Sequence, residues 1–124
     1  MIRGIAQDPE RSPVEKISDV IRQFTHLCIE RDEMAIFFSE KAYLSDEHFE
    51  AISDKEREVI DTIAGMIREG IEKGMMKPMP PKIAAYGLVG MTAWSYRWVS
   101  QNGSLDIDRI ADIYSEIMTQ GITP

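Results

Sequence analysis

Pro81-Lys82-Ile83-Ala84-Ala85-Tyr86-Gly87-Leu88-Val89-Gly90-Met91-Thr92-Ala93-Trp94-Ser95-Tyr96-Arg97-Trp98-Val99 is the stretch that decides the fold. Pro81 suits the first turn of a helix, where its missing N–H is not needed. From Ile83 to Trp98 the helix has almost no polar face. Ala84, Gly87, Leu88, Met91, Ser95 and Trp98 fall along one side; Ile83, Tyr86, Gly90, Ala93, Trp94 and Arg97 fall along the other. A helix apolar all round must be covered all round. A chain of 124 residues supplies enough helices to cover about half of it. Gly87 and Gly90 each cost about 1 kcal/mol against Ala inside a helix. Close approach of another helix backbone would offset that cost. Two readings stand: the central core helix of a monomeric bundle, or a subunit interface.

Outward from this helix the chain is punctuated by Gly and Pro. Upstream lies the stiff connector Lys77-Pro78-Met79-Pro80-Pro81. Before it, Ser45-Asp46-Glu47 opens a long helix to about Lys73, with Phe49, Ile52, Val59, Ile63 and Met66 on one face and Gly74 as its stop. Its other face carries opposite charges four apart: Arg57 with Asp61, Arg68 with Glu72, Glu69 with Lys73. Asp32 can cap a short helix bearing Met34, Phe37 and Phe38. Ser12-Pro13 starts the first full helix, where Val14, Ile17, Ile21, Phe24 and Cys28 recur at three- and four-residue spacing to about Arg31. Downstream, Gln101-Asn102-Gly103-Ser104 is a turn. Asp106 caps a last helix with Ile107, Ile110, Ala111, Tyr114, Ile117 and Met118 inward, ending at Gly121. No alternation is long enough for a strand. The expected class is all-α: one domain over residues 1–124, ordered from about 12 to 122, with about five helices, the second short.

The net charge is −7, with 14 basic and 21 acidic residues. It is uneven: residues 45–76 carry a net −5 and residues 77–124 a net 0. An acidic chain is poorly suited to grip DNA by charge, since phosphate contacts require Lys and Arg. The single cysteine, Cys28, rules out an internal disulfide and multi-cysteine zinc sites. No run reaches the roughly 18 apolar residues of a membrane span, and the N-terminus lacks a secretory pattern, so the expected location is the cytoplasm.

Catalytic signatures are sparse. His26, Cys28 and Glu30 invite a metal reading, but only His26 and Glu30 share a helix face. No Glu-x-x-His pair, nucleophile elbow or phosphate-cradling loop is found. The expectation is a non-enzyme with no cofactor and no metal.

Gly90-Met91-Thr92-Ala93-Trp94-Ser95-Tyr96-Arg97-Trp98, Asn102-Gly103-Ser104-Leu105, Ile110-Ala111 and Gly121-Ile122 together resemble the end of the C-terminal domain of TetR/AcrR-type transcriptional regulators. Ile67-Arg68-Glu69-Gly70-Ile71-Glu72-Lys73-Gly74 resembles the same domain's preceding helix and loop, and Ser12-Pro13-Val14-Glu15-Lys16-Ile17 its first full helix. The Trp-x-Tyr-Arg-Trp pattern is most similar to a subgroup responding to acyl-CoA thioesters of fatty-acid or steroid breakdown.

The resemblance implies a homodimer through the last two helices, an apolar small-molecule effector among the others, and DNA binding through a helix-turn-helix. Residues 1–7 are too few for that domain and would form the end of a connecting helix; this chain alone is expected not to bind DNA. The expected effector pocket draws on Phe24, Cys28, Phe37, Phe38, Ile63, Met66, Met91, Trp94 and Trp98, with Arg97 or Lys41 facing a polar head. These large and flexible side chains suit a variable apolar ligand, though each also serves as core. The expected dimer face is Ala84, Gly87, Gly90, Ile110, Tyr114 and Ile117. The alternatives are a ligand-free helical module that heterodimerises with a full-length regulator and a small helical-bundle enzyme.

Overall fold

The computed structural model describes residues 2–30, 46–99 and 106–124. Five helices make up these segments, with no strand among the described residues. They are α1 (Ile2–Ala6), α2 (Pro13–Glu30), α3 (Asp46–Glu72), α4 (Pro81–Trp94) and α5 (Ile107–Ile122). The short helix expected after Asp32, with Met34, Phe37 and Phe38, lies outside the described residues, as do the turn at 101–104 and Lys41.

Helix boundaries follow local chemistry. At the start of α2 the Ser12 hydroxyl accepts the Glu15 N–H at 3.2 Å, and Pro13 occupies the first helical position. α3 ends where Gly74 takes φ +73°. There Met75 N–H donates to the Gly70 carbonyl at 2.8 Å and Gly74 N–H to that of Ile71 at 3.1 Å. That pair of bonds closes the last turn, and the left-handed position favours glycine. Asp106 caps α5 by accepting the Asp108 N–H at 3.2 Å. α5 runs one residue past the expected stop at Gly121, and the Ile122 carbonyl then accepts Lys77 N–H at 2.7 Å. This bond ties the end of α5 to the loop that launches α4.

α4 is shorter than the apolar run predicts. It stops at Trp94, and Ser95–Arg97 form a 3₁₀ turn. Thr92 Oγ1 donates back to the Leu88 carbonyl at 3.0 Å, and Ser95 Oγ to that of Thr92. Hydroxyls that bond back to the preceding turn compete with the regular ladder and favour such tightening.

α2 is the hub and packs against all four other helices. Its buried Ile17, Val20, Ile21, Phe24 and Cys28 meet Ile60, Ile63, Met66 and Ile67 of α3, Ala85 and Leu88 of α4, Ile2 and Ile5 of α1, and Ile122 of α5 in one core. The side of α2 toward α5 is polar. Ser18 bonds Ser115 at 2.6 Å, Arg22 pairs with Asp112, and His26 bonds Asp108 at 2.7 Å. Partners rise along α2 as they fall along α5, so the two helices run antiparallel.

On α3 the Glu69–Lys73 pair forms at 2.8 Å, as its spacing predicts. Arg57 instead pairs with Asp54 at 3.4 Å, and Asp61 with Lys82 of α4 at 3.5 Å. A tertiary partner within reach has displaced the local one. Glu56 sits half-buried at the stripe's edge.

Candidate functional site

Four of the nine expected pocket residues come together. Phe24 and Cys28 of α2, and Ile63 and Met66 of α3, are all buried in the common core. Their helices place them there because each lies on the inward stripe of its own 3.6-residue period. Met91 of α4 is half-buried and is not part of that core. Phe37 and Phe38 lie outside the described residues. Burial pushes the Cys28 thiol up to about 11, which leaves it protonated and unreactive at neutral pH. No group of three or more metal-ligating side chains is found among the described residues. His26, the suspected ligand, bonds Glu30 at 3.0 Å and Asp108 at 2.7 Å, while Cys28 faces the core.

Trp94 and Trp98 correct the expectation of an inward lining. They are 57% and 48% exposed. The reason is the break at Ser95: the inward positions go to the small Thr92, Ala93 and Ser95, all buried, and the large rings are turned out. The Arg97 guanidinium lies 4.5 Å from the centre of the Trp94 ring, a cation–π contact. Trp98 hydrogen-bonds the Tyr114 hydroxyl; burial raises that phenol's pKa and this bond partly opposes the rise.

A second feature is on the outside of α4. Ile83, Tyr86, Gly87, Gly90 and Trp94 are all exposed and fall at successive positions of a single helical stripe. Ile113 and Ile117 of α5, 37% and 56% exposed, extend the apolar surface. A Cβ added at Gly87 or Gly90 would meet nothing within 4 Å. Packing among the described residues therefore requires neither glycine. Of the expected dimer residues, Gly87, Gly90 and Ile117 are on this surface, and Ala84 and Tyr114 are half-buried at its border. Ile110 is not: it is 3% exposed, within the chain's own interior. Ile113, one turn away from Ile110, faces outward with Ile117, and no sequence signal on α5 singled it out.

Lys16 is buried at the edge of the core, with its ammonium 3.3 Å from Glu69. Lys73 and Lys16 together hold the Glu69 carboxyl below its ordinary pKa, with Lys73 the larger influence. A shallow open groove on the outer side of α3 is lined by Asp54, Arg57, Glu58, Asp61 and Thr62. It is charged and solvent-facing, and it does not coincide with the buried Phe24–Met66 group.

The described residues thus form an all-helical domain with a mixed Met/Phe/Ile interior and an outer helix that carries two glycines on an apolar face. Residues 10–122 match the family described as tetracyclin repressor-like, C-terminal domain, and the chain belongs to that family. Over 119 residues the chain is 25% identical to the HTH-type transcriptional repressor KstR2 of Mycolicibacterium smegmatis, covering 94% of this chain and 58% of that protein. Among solved structures it is similar to AibR in complex with isovaleryl coenzyme A and operator DNA. That similarity has a TM-score of 0.83 and 25% identity, over 93% of this chain and 63% of that one. The ketosteroid transcriptional regulator KstR2 of Mycobacterium tuberculosis shares the fold, with a TM-score of 0.87 and 23% identity over 99% of this chain and 64% of that one. The chain thus spans about three-fifths of the length of these relatives. No helix among the described residues is long and apolar enough to cross a membrane.

Proposed function

We propose that the chain is the effector-sensing and dimerisation part of a transcriptional regulator. It binds an apolar small molecule of the fatty-acyl or steroid-like thioester class and pairs with a second copy through α4 and α5. The observation that carries the dimer is the exposed stripe of Ile83, Tyr86, Gly87, Gly90, Trp94, Ile113 and Ile117. Two glycines inside a helix cost stability, and nothing among the described residues comes within 4 Å of a Cβ added at either. A partner helix seated on them supplies the reason. Face-to-face pairing would bury more than about 1,000 Å², the size of a specific interface.

For the effector, support comes from AibR, which was crystallised with isovaleryl coenzyme A, and from the buried Phe24, Cys28, Ile63 and Met66 shared by α2 and α3. No catalytic step is part of this reading. DNA contact would belong to the longer protein, as in the AibR complex with operator DNA.

Sedimentation of wild type and Gly90→Arg tests the dimer. Two-fold contacts place each substitution in the interface twice, so the variant should be monomeric or insoluble. A folded, dimeric Gly90→Arg sinks the assignment. Thermal melting with isovaleryl coenzyme A, longer acyl-CoA thioesters and free fatty acids tests the effector. A ligand held by the native state raises the melting temperature by mass action, and Met66→Trp should remove that rise by filling the space. If no compound moves the wild-type melt, the ligand-free heterodimerising module replaces this reading.

A further inference from the structure

Among the described residues the polar side-chain atoms shut off from solvent are paired, with one exception, the amide oxygen of the half-buried Gln23. Thr25 donates to the Ile21 carbonyl, Thr92 to that of Leu88, and Ser95 to that of Thr92; Ser115 bonds Ser18, and Lys16 reaches Glu69. Gln23 Oε1 is the single buried side-chain oxygen among the described residues with no hydrogen-bond partner. Gln23 lies two helical turns from Lys16, so it shares the side of α2 that Lys16 directs to Glu69 of α3. Along that side it stands between Val20, fully buried, and Leu27, packed on the core. Phe24, the next residue, points about 100° round the helix into the buried Phe24–Met66 group, so Gln23 stands at that group's flank. An amide oxygen shut away from water without a donor weakens the folded state, and such groups call for an explanation.

We propose that Gln23 Oε1 is the hydrogen-bond acceptor for the effector, taking an N–H or O–H carried on an otherwise apolar ligand. The assignment rests on the effector reading above and specifies its polar contact. A coenzyme A thioester brings amide N–H groups in its arm. A hydroxylated acyl or steroid-like body brings an O–H instead. Either donor satisfies the same oxygen.

The test compares the full wild-type chain with Gln23→Met, which keeps length and helix propensity and removes the acceptor. The probes are isovaleryl coenzyme A, decanoate and a hydroxydecanoate, followed by melting and calorimetry. Without ligand, Gln23→Met should melt at or above wild type, because an unpaired buried acceptor is gone. Affinity for a donor-bearing probe should fall about tenfold, while decanoate binding is unchanged. Loss confined to isovaleryl coenzyme A places the donor on the coenzyme A moiety; loss confined to hydroxydecanoate places it on a hydroxyl of the apolar body. A lower ligand-free melt overturns the proposal, since the amide would then have a structural partner. So does unchanged affinity for every donor-bearing probe, or wild-type binding of decanoate alone. Those outcomes leave the effector reading standing. Wild type that binds none of the probes removes both.

Discussion

His26 shows how one side chain couples two helices to pH. Its ring bonds Glu30 on its own helix at 3.0 Å and Asp108 at the start of α5 at 2.7 Å. The bond to Glu30 is the main reason its pKa is raised, with Asp108 adding to it and burial opposing. Arg22 with Asp112 is the neighbouring charged pair on the same α2–α5 seam. A raised folded-state pKa means that the imidazolium stabilises the fold. That contribution is complete below the unfolded value near about 6.5 and is lost as pH rises through the higher folded value. The wild-type melting advantage over His26→Gln should therefore shrink as the buffer is taken from mildly acidic to alkaline. A constant difference across that range would show that the bridge carries no charge. At Gly74, φ +73° makes any side chain strained. Gly74→Ala should cost about 1–2 kcal/mol, seen as a fall of several degrees in melting temperature, although nothing lies within 4 Å of the new Cβ.

Among the elements, α4 is the one on which the proposed dimer rests. Its inward side is small and polar-bonded at Thr92 and Ser95, and its outward side is apolar with two glycines. Alanine at Gly87 and Gly90 has free space among the described residues. Each substitution should therefore stabilise a monomeric sample by up to about 1 kcal/mol through helix propensity alone. In the dimer the added methyls stand between two backbones, so the same variants should dissociate at higher protein concentration than wild type. Sedimentation across a dilution series reads this directly. Stabilisation with unchanged self-association would place the partner helix elsewhere.

For the molecule as a whole, α2 gathers all the other described helices onto one core. Covering the α4–α5 surface in a dimer adds burial that the lone chain lacks. The melting temperature should then rise with protein concentration, as mass action requires for a folded dimer that unfolds to separate chains. Gly90→Arg should melt at a lower temperature that does not depend on concentration. Concentration-independent melting of wild type would mean that the stripe serves another partner.

The all-α class, the starts at Pro13, Asp46, Pro81 and Asp106, and the stop at Gly74 were readable from sequence. Each depends on a residue's own backbone preference or on a cap within four positions. The Glu69–Lys73 and His26–Glu30 pairs were readable for the same reason. Periodicity also located Phe24, Cys28, Ile63 and Met66, since an inward stripe is a property of one helix. What it left open was direction on helices that are apolar all round. On α4 both faces are apolar alike, and the outward placement of Trp94 and Trp98 is set by the turn at Ser95 and by the side that α2 and α3 occupy. On α5 the choice between Ile110 inward and Ile117 outward depended on where α2 lay. The pairing of Asp61 with Lys82 and the unpaired oxygen of Gln23 likewise belong to the tertiary structure. Local preference is written residue by residue along the chain, but which face meets a neighbour is decided only when the helices pack.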